Sequence, residues 1–311
     1  MFAIARDACA QCRPGFGRAR KKFLVADPLI DINLDDLLDA LGLLAPRGAL
    51  PRVLLRPAVQ RFTMIVRAFD DRVGATGLAA ASAWVLRRLA GGLQVAGRSH
   101  IPLRGPLLVL ANHPGMTDTA ALFASLHMRA DLRVIARDRP FLRALPHARA
   151  RLILLADADD GSRVRALYAG LKHLRRGGAL LTFPAGGIEP DPAAAGIRPA
   201  IDALQAWSDS SALIARAVPE TRIVTAIVSQ VVSARALRHP LTRLRRHAAD
   251  REKLAAAMQI LWPPYQAMPA RVAFAAPLAG ADARRSPAEL HRAIVALASA
   301  LIATPQATWE D

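Results

Sequence analysis

Residues 107–122 read LLVLANHPGMTDTAAL, and the order of residue types within them decides the fold class. Leu107 to Ala111 are apolar without alternation, the pattern of a strand buried on both faces. Asn112, His113, Pro114 and Gly115 break the run, and the spacing predicts a helix from near Thr117. Such strand-to-helix junctions are where α/β proteins expose functional side chains. His113 and Asp118 are five apart, which on one continuous helix would set them about 140° apart. The Pro-Gly pair excludes that helix, so a turn can fold the Asp118 carboxylate against the imidazole and orient it as a base. A structural histidine capping the helix is the competing reading.

Outward from this junction, short apolar runs recur at 93–96, 132–136, 152–156, 179–183, 223–228 and 271–275. Helical patterns lie between them, as in Val164, Leu167, Leu171 and Leu174. Ser286, Pro287 and Glu289 supply an N-cap, a first-turn proline and a capping-box acid for a last helix. This alternation predicts an α/β fold with a mostly parallel or mixed central sheet covered by helices. Pro and Ala around 190–200 read as a loop.

The sheet is preceded by an N-terminal helical segment. Leu34, Leu37, Leu38 and Leu41, with Asp35, Asp36 and Asp39 between them, predict a short acidic helix ending near Gly42. Leu55, Val59, Phe62, Val66, Phe69 and Val73 then form an apolar stripe, with Arg52, Arg56, Arg61, Arg67 and Arg72 on other faces. A further helix extends to about Gly91. The stripe suits either an anionic bilayer or the cover of a protein core. The expected organisation is a loose basic tail over 1–22, an amphipathic helical segment over 23–92 with membrane-surface contact, and an α/β domain over 93–311.

Composition narrows the function classes. The chain has 42 Lys plus Arg against 25 Asp plus Glu, a formal charge of +17, and is 53% hydrophobic. That excludes a disordered chain and a disulfide miniprotein, and points to an anionic partner. All basic residues but Lys21, Lys22, Lys172 and Lys253 are Arg. Cys9 and Cys12 form a lone CxxC with no second pair for zinc, so they read as free thiols. No apolar run reaches the roughly 20 residues of a spanning helix, and Arg6, Asp7 and Gln11 interrupt any signal-peptide core, so a cytoplasmic location is expected.

The second informative stretch, 179–192, reads ALLTFPAGGIEPDP. A strand ends at Phe183 and Pro184, and Gly186 and Gly187 then allow close approach of a ligand to backbone N–H groups, as a phosphate or a developing oxyanion requires.

Taken together, the two stretches resemble the glycerolipid acyltransferases, the family of 1-acylglycerol-3-phosphate and glycerol-3-phosphate acyltransferases. Asn112, His113 and Asp118 meet that family's NHxxxxD motif in full. Its lead-in phrase is echoed by Gly97, Ile101, Pro102, Gly105 and Pro106. Ala136, Arg137, Asp138, Arg139 and Pro140 stand where the family has A-K-x-E-L. Two positions depart: the Glu of FPEGTRS is Ala185, with Glu189 four residues later, and the Arg of FIDR is Ala158 after Asp157. The second loss bears on a glycerol-phosphate acceptor, which Arg149 with Arg151, or Arg137 with Arg139, would have to compensate.

The resemblance implies transfer of a fatty acyl group from acyl-CoA or acyl carrier protein to a lysophospholipid or glycerol-phosphate-type hydroxyl in phospholipid synthesis. His113 would be the general base and Asp118 its partner. Asn112, Arg137, Arg139, Phe183, Pro184, Gly186 and Gly187 would touch substrate. No metal or other cofactor is called for, and the expected setting is peripheral on the inner face of a membrane. A non-catalytic lipid-binding relative and a thioesterase are the alternatives.

Other chemistries fail on their spacing. Gly97-Arg98-Ser99-His100-Ile101 is not a serine-hydrolase elbow, and there is no Gly-Lys pair for a P-loop. Gly15 to Arg20 lacks the third glycine of a dinucleotide fingerprint. Asp157, Asp159, Asp160 and Gly161 miss the calcium-loop spacing, Tyr168 standing where the closing Glu belongs. No nucleic-acid module is recognisable, and aromatics are 5% of the chain.

Overall fold

The computed structural model describes residues 27–42, 49–115, 117–156, 160–278, 286–304 and 309–310. The basic tail with Cys9 and Cys12, and Asp157, Ala158 and Asp159, lie outside the described residues.

Helix α1 (Pro28–Leu41) starts ahead of the acidic pattern because the Asp27 side chain accepts the Leu29 N–H at 3.0 Å and Pro28 opens the first turn. Helix α2 (Ala49–Thr76) carries the apolar stripe, and α3 (Leu78–Leu89) follows Gly77. The stripe faces inward. Val59, Val66 and Val73 are buried; Val59 packs with Leu34, Leu37 and Leu38 of α1, and Val66 with Leu29, Leu145 and Ala148. Of the two uses foreseen for it, covering the core is the one these residues serve. The Asn33 amide donates to the Thr63 hydroxyl at 2.9 Å, and Arg67 pairs with Asp27 at 2.8 Å, so α1 is pinned along α2.

Seven strands follow: β1 (Leu93–Ala96), β2 (Leu107–Ala111), β3 (Arg133–Arg137), β4 (Leu152–Leu155), β5 (Ala179–Thr182), β6 (Arg222–Ser229) and β7 (Ala270–Phe274). They form one sheet in the order β1-β7-β6-β2-β5-β3-β4. β6, β2, β5, β3 and β4 run parallel, whereas β7 is antiparallel to β6 and carries β1 with it. The sheet is therefore mixed, as one of the two foreseen forms.

β2 lies at the centre and is buried on both faces. Its alternation splits the core in two. Leu107, Val109 and Ala111 pack with α3, with α4 (Asp118–Ser125) and with α12 (Ala248–Leu261), while Leu108 and Leu110 face the other layer. That layer holds α7 (Asp160–Arg175), α10 (Ser210–Ala217) and α13 (Pro287–Ala303). Each such buried leucine is worth about 1.5–3 kcal/mol. The capping box on α13 is formed as its sequence predicts.

Short helices complete the chain: α5 (Pro140–Arg143), α6 (Pro146–Arg149), α8 (Pro192–Ala195), α9 (Ile197–Ala203) and α11 (Ala234–Leu237). The expected loop at 190–200 is thus corrected. Asp191 caps α8 by accepting the Ala193 N–H at 2.9 Å, and Pro192 takes the first helical position.

Candidate active site

The carboxyl ends of β2 and β5 deliver their following residues to one edge of the sheet. Beyond β2, the Asn112 amide exchanges two hydrogen bonds with the Val228 backbone, donating at 2.9 Å and accepting at 2.7 Å. This extends the β2–β6 ladder by one side chain. Asn112 is 3% exposed and has spent both polar atoms on the scaffold, so it holds the site rather than facing a ligand.

His113 follows, and Gly115 at φ 98° turns the chain back. That conformation strains any residue with a Cβ. The turn brings Asp118 Oδ2 to 2.6 Å from His113 Nδ1, with the Gly115 N–H donating to the same oxygen at 2.8 Å. The Thr119 N–H and hydroxyl donate to Oδ1. Asp118 is fully buried, which by itself would push its carboxyl up; the imidazole and these donors outweigh burial and hold it below the usual range. For His113, burial pulls down, but the charge and hydrogen bond of Asp118, with Glu189 beyond, raise the imidazole. The carboxylate fixes the proton on Nδ1. Nε2 is left as the basic nitrogen, on a side chain 29% exposed and with no partner among the described residues.

The 183–189 loop closes the other side. The Phe183 ring stacks on the His113 imidazole with centroids 4.5 Å apart. Pro184 is buried under the loop and its carbonyl accepts from Ser208. Gly186, at φ 65°, gives its N–H to the Phe183 carbonyl at 3.0 Å, so that N–H is closed to a ligand; Gly187 is exposed and its N–H is unengaged among the described residues. Arg137 donates to the Gly186 carbonyl at 3.0 Å and so stands at the site. Arg139 is exposed and acts electrostatically on Asp36 of α1, which lines the same cavity as Pro114, Gly115 and Glu189. Arg151 lies at the amino end of β4, donating to the Ala130 carbonyl, at the opposite edge of the sheet from His113. It therefore cannot replace a lost acceptor arginine.

Glu189 and Trp207 belong to the site although the spacing of motifs did not assign them a place in it. The Glu189 carboxylate accepts the His113 N–H at 2.9 Å and the Trp207 indole N–H at 2.7 Å. Burial pushes its pKa up to about 7 against the pull of both donors. Asp191, two residues on, accepts the N–H groups of Gln230, Val231 and Val232 at 2.8–3.0 Å and so ties this loop to the end of β6. The sequence signal for both acids was an apolar loop with two carboxylates and no nearby cation.

Among solved structures, the chain is similar to the 1-acyl-sn-glycerophosphate (LPA) acyltransferase PlsC from Thermotoga maritima. The two share 13% identity at a TM-score of 0.42, over 82% of this chain and 100% of that one. No family model and no curated protein matches the sequence.

Beside the His–Asp pair a cavity of about 930 Å³ runs between α1, α2 and α12. Pro114, Gly115 and Glu189 line it together with Leu37, Val59 and Ala257. Its size is that of a small-molecule site. No described helix is long and apolar enough to cross a membrane.

Proposed function

We propose that the chain is an acyltransferase that moves a fatty acyl group from acyl-CoA or acyl carrier protein to the hydroxyl of a lysophospholipid or glycerol-phosphate-type acceptor. The observation that carries the reading is the 2.6 Å contact from Asp118 to His113 Nδ1, which leaves Nε2 as the basic nitrogen of a partly exposed side chain whose neighbours Pro114, Gly115 and Glu189 line a largely apolar cavity. His113 Nε2 takes the proton of the acceptor hydroxyl as its oxygen attacks the thioester carbonyl. The C–S bond then breaks, and the leaving thiolate receives the proton from the imidazolium. Asp118 holds the productive tautomer and stabilises that cation. The cavity fits the acyl chain, and the Gly187 N–H is the candidate donor to the developing oxyanion. No covalent acyl-enzyme is invoked, since no serine or cysteine pairs with His113 among the described residues.

The membrane is the proposed location of the acceptor. Support comes from Leu50, Val53, Leu54 and Met64, exposed large side chains on the outer face of α2, in a chain of formal charge +17.

The test is transfer of labelled acyl groups from acyl-CoA, and separately from acyl carrier protein, to lysophospholipids, glycerol 3-phosphate and total membrane lipid, comparing wild type with His113→Ala. New acylated lipid with wild type and a loss of about 10³-fold or more in the variant is expected. Equal transfer by both removes His113 from the mechanism. Acid release independent of any acceptor identifies a thioesterase, and lipid retention without turnover a binding protein.

A further inference from the structure

The peptide groups on either side of His113 lie beyond the end of β2, where no ladder supplies their partners. Glu189 supplies them. Its carboxylate Oε2 accepts the His113 N–H at 2.9 Å, while its own N–H donates to the His113 carbonyl at 2.9 Å. Oε1 is held by the Trp207 indole at 2.7 Å, and Trp207 is itself 4% exposed in the core layer beneath. Two N–H donors thus converge on the two oxygens of one side chain. Only a carboxylate offers an acceptor at both positions; glutamine would turn an NH₂ toward one of them. Burying an ionised carboxylate costs more than burying a neutral group, so this arrangement is not the least expensive way to close a loop.

We infer that Glu189 is the positioning residue of His113, gripping its backbone from both sides so that the ring meets Asp118 on one edge and Phe183 on one face. Asp118 fixes Nδ1, Phe183 fixes the ring plane, and Glu189 fixes the backbone that carries the ring. The assignment rests on the acyl-transfer reading for its kinetic consequence alone. The charged groups acting on Glu189 are His113 and Asp118 from the β2–α4 turn, and the cavity beside it also carries Asp36 and Asp39 of α1 and Arg251, Glu252 and Lys253 of α12.

Two variants separate positioning from mere support. Glu189→Gln removes the charge that helps to raise the His113 imidazole, so the acid limb of kcat/KM moves to lower pH, while kcat at its plateau falls about 100-fold with donor KM little changed. Trp207→Phe removes a donor that lowers the Glu189 pKa. Its carboxylate then forms only at higher pH, so it supports the His113 imidazolium less and the acid limb again moves to lower pH, by less than in Glu189→Gln. Shifts in the same direction, the larger in Glu189→Gln, in two variants that melt as cooperative folds are the expected result. Limbs that stay put, or move at wild-type kcat, overturn the assignment. The titration of His113, followed by NMR on the histidine-labelled full chain, gives a readout that needs no turnover. Its midpoint is expected to fall in Glu189→Gln, because the carboxylate that helps to raise it has gone. Should wild type transfer no acyl group while this shift is seen, the functional reading fails and the positioning role stands. An unmoved midpoint overturns the role. If Glu189→Gln does not fold, the kcat/KM limb of Trp207→Phe decides where wild type turns over. Where it does not, the His113 midpoint of Trp207→Phe decides, expected lower as Glu189 loses charge; an unmoved value counts against the role.

Discussion

Asp118 satisfies four donors while fully buried, and its charge is what makes His113 more basic than a free imidazole. Asp118→Asn retains the shape but brings an NH₂ into a cradle built of donors. The expected result is a fall in kcat of about 10²–10⁴-fold. The rising limb of kcat/KM should also move to lower pH, because a group that raised the His113 pKa has gone. A pH–rate series on a folded variant checks both, and a limb that stays in place removes Asp118 from the electrostatics of the base. At this scale the His–Asp pair was legible, because Pro114 and Gly115 forbid a helix and demand a turn. The pairing of Asn112 was not legible, for a physical reason: a side-chain amide has the donor and acceptor of a peptide group, and beside Val228 it is used as one. Trp207 was not legible at all. Its indole reaches Glu189 only because α10 packs beneath the sheet, a contact that no local spacing encodes.

The elements were legible where the residue pattern is set by burial on two sides. All seven predicted strands are present, their bounds moved by a residue or two, since a strand flanked by helices must be apolar throughout. The order of strands was not legible, because pairing β2 with both β5 and β6 is decided by crossovers far apart in sequence. Nor was the phrase before β2 recognisable as scaffold. Buried Arg129 donates to the Pro102, Gly105 and Gly177 carbonyls, so that lead-in is held at the amino ends of the strands, away from the chemistry. Helix α2 shows how a single stripe can mislead. Its regular apolar face is spent on α1 and the core, whereas Leu50, Val53, Leu54 and Met64 stay between 63% and 68% exposed. Arg52 and Arg56, on the same end of the helix, pair with Asp35 and Asp31 of α1. The bilayer contact proposed for α2 would therefore rest on apolar insertion more than on these two charges. Cosedimentation of the full chain with phosphatidylserine-containing vesicles is expected, with about tenfold weaker partitioning for Val53→Ser/Leu54→Ser. Undiminished binding by that double variant would move the contact elsewhere.

Across the whole molecule the charge is unevenly placed. A chain of formal charge +17 nonetheless turns Asp36, Glu189 and Glu252 toward one cavity, and all three carboxyls are pushed up, in each case by burial first. Glu252, on α12, is raised to about 7, with the charge of Asp191 adding to the effect of burial. A carboxyl whose folded pKa exceeds its unfolded value binds more protons when folded, so its contribution to stability is lost as pH rises from about 4.5 to 7. Above that window the ionised Glu252 opposes folding. Glu252→Gln removes the opposition without changing the volume of the wall. The variant should therefore unfold at a higher temperature than wild type at pH 8, by the equivalent of about 1–2 kcal/mol once its partial exposure is allowed for. Below pH 4.5 the two should melt together. Thermal unfolding of both chains at pH 4 and pH 8 isolates the effect, because every other titrating group is common to the two. A gap that does not depend on pH would mean that water reaches Glu252 freely, and the cavity wall at α12 would then be open to solvent rather than shaped to hold an apolar chain.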